Sequence, residues 1–378
     1  MGIVANINVP EISTGKLVER VTAFYAGMMN AGVPCHEVRP VMLFGPTGVG
    51  KSSAVMQVAD RLKQALGREV EVVDIRLTSC TITDLIGIPV PDKDRKGTIW
   101  LKPEIYKQDA ENAKNAKEKK IFIYFFDELD KASPAIQAAA LQLILDRKAW
   151  VHNFPEFTFV IAAANPARGT TKYETRMAPE LMNRFKHFNV QPDFDSFREW
   201  GIREGLHPLV LGYLSYDNSK LYAASEGQDI AFPTPRSWKS ISDLLKVYEG
   251  RYKDMRDLHY DLAGEIGSGT ALEFEGYCNI NAKLPNTDDI FHARAKGCPN
   301  TMDVLSALIA SMTTYVAAHL DTIDTGELTN AGRYLSHLGT PKDFLAMYYK
   351  NLQSMLKDSE HFKQAMQKEP TYLDWTEE

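Results

Sequence analysis

Residues 45–52 read Gly45-Pro46-Thr47-Gly48-Val49-Gly50-Lys51-Ser52 and fit G-x-x-x-x-G-K-[ST] at every fixed position. Glycines in such a loop let main-chain amides wrap a phosphate, and the helix that follows points further amides at negative charge. Lys51 would reach the β- and γ-phosphates, and the Ser52 hydroxyl would bind Mg²⁺. With Ser53, these residues form the candidate nucleotide-binding set. A second source of chemistry is the apolar run Ile121–Phe126, which ends in Asp127 and Glu128. Asp127 is placed to hold Mg²⁺ through its water shell opposite Ser52. Glu128 is placed to orient and deprotonate a water that attacks the γ-phosphate.

Three more polar residues follow in order. Asn165 ends the apolar stretch 157–164, where its amide could position the attacking water or touch the γ-phosphate; an ordinary loop Asn before Pro166 is the rival reading. Arg184, in Pro179–Phe185, could deliver a guanidinium to a neighbouring subunit's nucleotide and stabilise charge on the transferring phosphoryl group. Arg176 competes for that role. Arg236 lies in the first turn of a helix opened by Pro233-Thr234-Pro235, where a cation is unfavourable unless an anion is near.

These residues need a scaffold. Val41–Phe44 has strand character, and Ser53–Leu66 reads as a helix with Val55, Val58, Ala59 and Leu62 on one side. The run 121–126 is apolar throughout, as expected of a parallel strand covered on both faces. In such sheets ligands sit at the carboxyl ends of strands, where Asp127 falls. Ser133 and Pro134 read as cap and first residue of a helix running to Arg147. An α/β core with a parallel sheet is therefore expected.

Composition narrows the rest. The chain has 378 residues, enough for two or three domains. A net charge of −6 argues against sequence-blind nucleic-acid binding. Cys35, Cys80, Cys278 and Cys298 are scattered, without metal-ligand spacing, which fits reduced thiols in a cytoplasmic protein. No secretory leader is evident, and the uncharged stretch 304–318 is too short and too rich in Ser and Thr for a membrane span. Its apolar residues Val304, Leu305, Leu308, Ile309, Met312 and Val316 fall instead on one helical stripe.

Phosphate loop, Asp-Glu strand, Asn-ended strand, arginine, then Pro-Arg at a later helix: this series resembles an AAA+ ATPase over residues 15–280. Within that superfamily the chain is most similar to the MoxR-like branch, with its CbbQ/NorQ-type and magnesium-chelatase relatives. The resemblance implies Walker A at Gly45–Ser52, Walker B at Asp127 and Glu128, sensor 1 at Asn165, an arginine finger at Arg184 and sensor 2 at Arg236. It implies ATP rather than GTP, Mg²⁺, and self-assembly into a ring, usually a hexamer, with nucleotide at the subunit interface. The segment Cys80–Pro89 followed by Lys96–Leu101 resembles the helix-2 insert of that branch, which projects into the ring pore. Trp150–Pro155 is similar to the hairpin preceding sensor 1, whereas the acid- and lysine-rich run Asp109–Lys120 has no counterpart in the family pattern.

The expected organisation is an N-terminal helical segment (1–39) and a P-loop AAA+ core (40–190) with its insert at about 80–105. An α-helical lid (191–281) follows, then a linker and helical C-terminal extension (282–378). Gly264–Gly269 reads as a turn between lid helices. The expected function is Mg-dependent ATP hydrolysis that remodels a protein partner, in this family often beside a protein with a von Willebrand factor A domain. Trp100 and Ile99 would offer apolar grip, if not buried in the hairpin. A nucleic-acid motor or nuclease-companion ATPase is the alternative, because Lys93, Arg95, Lys96 and Lys102 surround the same loop. A nucleotide-dependent switch or scaffold is the third, and an intact Glu128 weighs against it.

Overall fold

The computed structural model describes residues 9–94, 96–107, 119–149, 151–165, 182–224, 230–248, 251, 254–281, 284–297, 301–357 and 359–368. Arg95, the stretch 108–118, Trp150 and Arg176 lie outside them. The chain divides into two compact units, 1–193 and 194–378.

The first unit is an α/β layer structure. Its strands are β1 (Glu11–Ser13), β2 (Val41–Phe44), β3 (Val70–Arg76), the hairpin pair β4 (Ile88–Pro91) and β5 (Thr98–Leu101), β6 (Ile121–Asp127), the short pair β7 (Lys148–Ala149) and β8 (His152–Asn153), β9 (Thr158–Ala164) and β10 (Lys186–Gln191). Six of them form one sheet in the order β1-β10-β2-β9-β6-β3, and every neighbouring pair is parallel. Helices α1 (Thr14–Asn30) and α2 (Lys51–Leu66) cover one face, and α4 (Pro134–Asp146) covers the other; α3 (Ile82–Ile86) opens the insert.

Burial on both faces explains why β6 has no polar alternation. Ile121, Ile123 and Phe125 pack with α1 and α2, while Phe122, Tyr124 and Phe126 join the cluster containing Leu141 and Ile144 of α4. Local chemistry sets the helix ends. Ser13 accepts from the Lys16 amide to start α1, and Ser133 with Pro134 starts α4. α2 begins at left-handed Gly50 and stops at left-handed Gly67.

The region expected to be an insert folds as α3, held by a Thr81–Asp84 capping box, followed by the antiparallel β4–β5 hairpin. Ile88, Ile99 and Leu101 are exposed on one hairpin face. Trp100, on the other face, is half-buried.

The second unit is helical: α5 (Phe194–Arg203), α6 (Pro208–Tyr216), α7 (Pro235–Tyr248), α8 (His259–Ile266), α9 (Ser268–Asn281), α10 (Thr287–Phe291), α11 (Met302–Ala318), α12 (Thr325–His337), α13 (Lys342–Leu356) and α14 (Glu360–Lys368). One core gathers around Trp238, Tyr213 and Phe274. A second is built on α11 to α14, and the stripe from Val304 to Val316 is buried. Ala307 of α11 belongs to the first of these cores, and Leu284 packs against both. The expected lid and C-terminal extension thus share one packed unit. Gly267 separates α8 from α9, at φ +78° and with the Ala231 carbonyl close by. Among the described residues no helix is long and apolar enough to cross a membrane.

Candidate nucleotide site

The site grows from the carboxyl end of β2. Gly45 leaves the strand so close to β10 that a Cβ there would stand 2.5 Å from the Val190 carbonyl oxygen, so no larger residue fits. Gly48 and Gly50 hold φ of 82° and 101°, where a side chain is strained. No side chain caps α2, and its first turn carries no acid. A helix start of this kind presents its amides and the positive end of its dipole to an anion. Thr14 donates to the Val49 carbonyl at 3.5 Å and ties the loop to α1.

Side chains converge from three strand ends. Lys51 Nζ donates to the Gly45 carbonyl at 2.6 Å, to the Pro46 carbonyl at 3.1 Å and to Asn165 Oδ1 at 2.9 Å. Ser52 Oγ donates to Asp127 Oδ2 at 3.3 Å. Strand order explains the meeting, since β9, which carries Asn165, lies between β2 and β6. The expected residues 51, 52, 127, 128 and 165 come together at one end of the sheet.

Glu128 holds a left-handed backbone, φ 57°, uncommon for a residue with a side chain. Its carboxylate accepts from Thr78 Oγ1 at 2.6 Å and from Lys131 Nζ at 3.0 Å. The Thr78 hydroxyl first, and Lys131 after it, hold the Glu128 carboxyl below the usual carboxylate range. Its amide donates to Asp127 Oδ1 at 2.8 Å, which turns the two acids apart. Asp74, on the edge strand β3, is pushed up by partial burial and then by the Asp127 charge.

A glycine-rich loop, a strand-end acid pair and an asparagine on the strand between them thus meet at one end of the sheet, and residues 40–185 match the AAA domain family, dynein-related subfamily. Residues 40–185 form an AAA domain. The chain is an ATPase.

Within this AAA domain Arg184 is exposed and lies just before β10. In the β10–β2 register Lys186 pairs with Val41, so Arg184 stands at the amino ends of the strands, opposite the phosphate loop. The offset along the strands is roughly 15–20 Å at about 3.3 Å per residue, beyond reach of its own loop. Arg236 is exposed in the first turn of α7, in the second unit.

Several solved structures resemble the whole chain at low similarity. NtrX from Brucella abortus is 12% identical, with a TM-score of 0.39, covering 94% of this chain and 69% of that one. The Aeropyrum pernix ORC1 protein, solved with DNA, is 14% identical with a TM-score of 0.37, covering 93% and 86%. A RuvB variant from Thermotoga maritima is 14% identical with a TM-score of 0.32, covering 87% and 96%. Likeness of this extent says nothing of substrate or partner. No curated protein matches the chain.

Thr78, Lys131 and Asp130 were not among the expected site residues. Thr78 lies in a single 3-10 turn, Leu77–Ser79, directly after β3, and only the fold reveals its contact with Glu128. Asp130 did leave a trace, as the third acid of Asp127-Glu128-Leu129-Asp130. It is 6% exposed, and neither carboxylate oxygen has a hydrogen-bond partner. The amides of Asp130 itself and of Asn165 favour its charge without meeting hydrogen-bond geometry. Burial outweighs them and pushes its pKa up.

Proposed function

We propose that this chain is a Mg-dependent, ring-forming ATPase of the MoxR-like branch that uses ATP hydrolysis to remodel or activate a protein partner. The observation that carries the reading is the hydrogen-bonded convergence of Lys51, Ser52, Asp127 and Asn165, with Glu128 beside them. Gly45 to Ser53 would wrap the triphosphate, with Lys51 neutralising its β- and γ-oxygens. The Ser52 hydroxyl and the Asp127 carboxylate, 3.3 Å apart, are hard oxygen donors of the kind Mg²⁺ takes. Bound there, the metal would neutralise charge on the phosphate oxygens. Glu128 would take the proton of the attacking water once released from Thr78 and Lys131, and Asn165 would orient that water.

Arg184 supports assembly. It cannot reach its own phosphate loop, but it is exposed and could enter the site of a second copy. A guanidinium supplied in this way raises turnover by ~10³–10⁵ in other phosphoryl-transfer systems, so hydrolysis would depend on the ring, a hexamer in this branch. Arg236, in the lid (191–281), would report loss of the γ-phosphate and turn hydrolysis into motion. A partner with a von Willebrand factor A domain and a cytoplasmic setting fit the same branch.

The β4–β5 hairpin favours a protein partner over nucleic acid. Its exposed Ile88, Ile99 and Leu101 offer apolar contact. Lys93 and Lys96 at its tip are interleaved with Asp92 and Asp94, and Asp92 accepts from the Lys96 amide at 2.8 Å. A phosphate-tracking loop would not carry those acids. Steady-state ATPase activity across protein concentration, read beside mass photometry and with single- or double-stranded DNA added, tests the reading. A rate per subunit that rises with assembly and ignores DNA supports it. Strong DNA stimulation would favour the motor alternative, and absent turnover the switch.

A further inference from the structure

Asp130 is an acid with no role in the reaction as described so far, yet it is built into the site. It lies in the turn after β6 at 6% exposure, with both carboxylate oxygens buried and unpartnered. The turn cannot swing it into water, because Gln137 Nε2 donates to the Leu129 carbonyl at 2.9 Å and to the Asp130 carbonyl at 3.4 Å. An unpaired carboxylate in an apolar interior costs stability, and a neutral isostere would avoid that cost. Packing therefore does not account for it.

Its neighbours suggest what does. The turn 129–131 that carries Asp130 packs against β9, the strand that ends just before Asn165, and the Asn165 amide and, after it, Lys51 favour the charge on the carboxylate. Asn165 in turn receives Lys51 Nζ on its carboxamide oxygen. A fixed negative charge behind a peptide amide orients that peptide without the tight hydrogen bond that would freeze it. The carboxamide, one methylene beyond the Cα of that peptide, is then directed toward the lysine.

We propose that Asp130 is a positioning residue that acts through Asn165, setting the direction of its carboxamide toward Lys51 and the γ-phosphate. The inference rests on the role given to Asn165 in the ATPase reading. In this role Asp130 acts from behind the site, and its effect is confined to the step that Asn165 serves.

The test is a double-mutant cycle on the full chain, with Asp130→Asn, Asn165→Ala and the double variant. kcat and KM for ATP are measured together with melting temperature. Asp130→Asn keeps the shape and removes the charge, so it folds, with a melting temperature equal to or above the parent's. Its kcat falls about 10- to 100-fold, as is typical of groups that orient a functional side chain from behind, while KM is unchanged. In the Asn165→Ala background the same substitution lowers kcat no further, because the path to the reaction is already cut. Equal losses of kcat in both backgrounds would show an independent structural effect and overturn the proposal. Asp130→Asn with parental kcat beside an impaired Asn165→Ala would also overturn it, leaving the ATPase reading intact. Parental kcat in Asn165→Ala removes the premise, and the proposal falls with it.

Discussion

The two units treat buried charge in opposite ways. In the helical unit the buried acid Glu275, 4% exposed, meets His259 Nδ1 at 2.6 Å, and Arg198 donates to the buried Asn351 at 2.7 Å. The orphaned polar atoms described there are the neutral hydroxyls of Tyr277 and Tyr348. In the α/β unit Asp130 is buried with no partner, and the neighbouring Glu128 is held in a left-handed backbone. Departures from the rules of a stable core are tolerated at a site when chemistry needs them, and compensated elsewhere. The helical unit reads as an interior selected for packing, and the strand ends as one selected for reaction.

The contrast can be broken most severely at Arg184. Arg184→Ala is expected to lower turnover of the assembled protein by about 10³-fold or more with nucleotide affinity unchanged, measured by steady-state ATPase and fluorescent-nucleotide titration. If turnover survives that change and Arg176→Ala abolishes it, the arginine has been misassigned. At Trp238 the opposite signature is expected. It is fully buried, donates to the Lys220 carbonyl at 2.8 Å and meets Phe274 edge-on at 5.4 Å. Trp238→Ala should destabilise the helical unit by ~3–5 kcal/mol in chemical denaturation. Nucleotide affinity of the folded protein should stay as it was.

Two smaller effects sharpen the picture. Thr78→Val removes the shorter hydrogen bond to Glu128 and leaves Lys131, so basal turnover should rise, by no more than about tenfold. A fall in turnover would instead make Thr78 part of the active arrangement. Asp130→Asn should raise the melting temperature at pH 8 by ~2–4 °C, equivalent to about 1 kcal/mol. Burial raises the folded pKa of this acid, so the folded chain holds the proton more tightly. The penalty is then present above the folded pKa and fades as pH falls through it, and the gain over the parent should shrink as the solution is acidified. A gain that grows toward acid would contradict this.

Much of the α/β unit was legible in the sequence because its signals are local. The glycine pattern fixes the loop at 45–52, the unbroken apolar run fixes β6, and Ser133-Pro134 fixes the start of α4. Asn165 could be placed by the strand it ends, but its contact with Lys51 depends on strand order. Thr78 is further still from any local pattern. The helical unit was harder to read. Helix α12 opens on Thr325-Gly326-Glu327-Leu328-Thr329-Asn330, where two Thr, a Gly and an Asn are weak helix formers that blur its periodic signal. Its signal was Asp324 three residues before Glu327, which the structure shows as a reciprocal capping box. Helix α10 likewise lies in a stretch whose Pro, Asn and Gly content reads as linker. Packing of the C-terminal helices with the lid, through Ala307 and Leu284, depends on tertiary contacts that no periodicity encodes.

The most direct experiment compares the parent with Glu128→Gln, measuring ATP binding and steady-state hydrolysis on the same preparations. Binding that is retained while turnover falls by ~10²–10⁴-fold is the expected result, because the amide keeps the shape of Glu128 and cannot take a proton. Undiminished hydrolysis would contradict a base at Glu128, and loss of ATP binding would contradict the division of labour between Lys51 and Glu128.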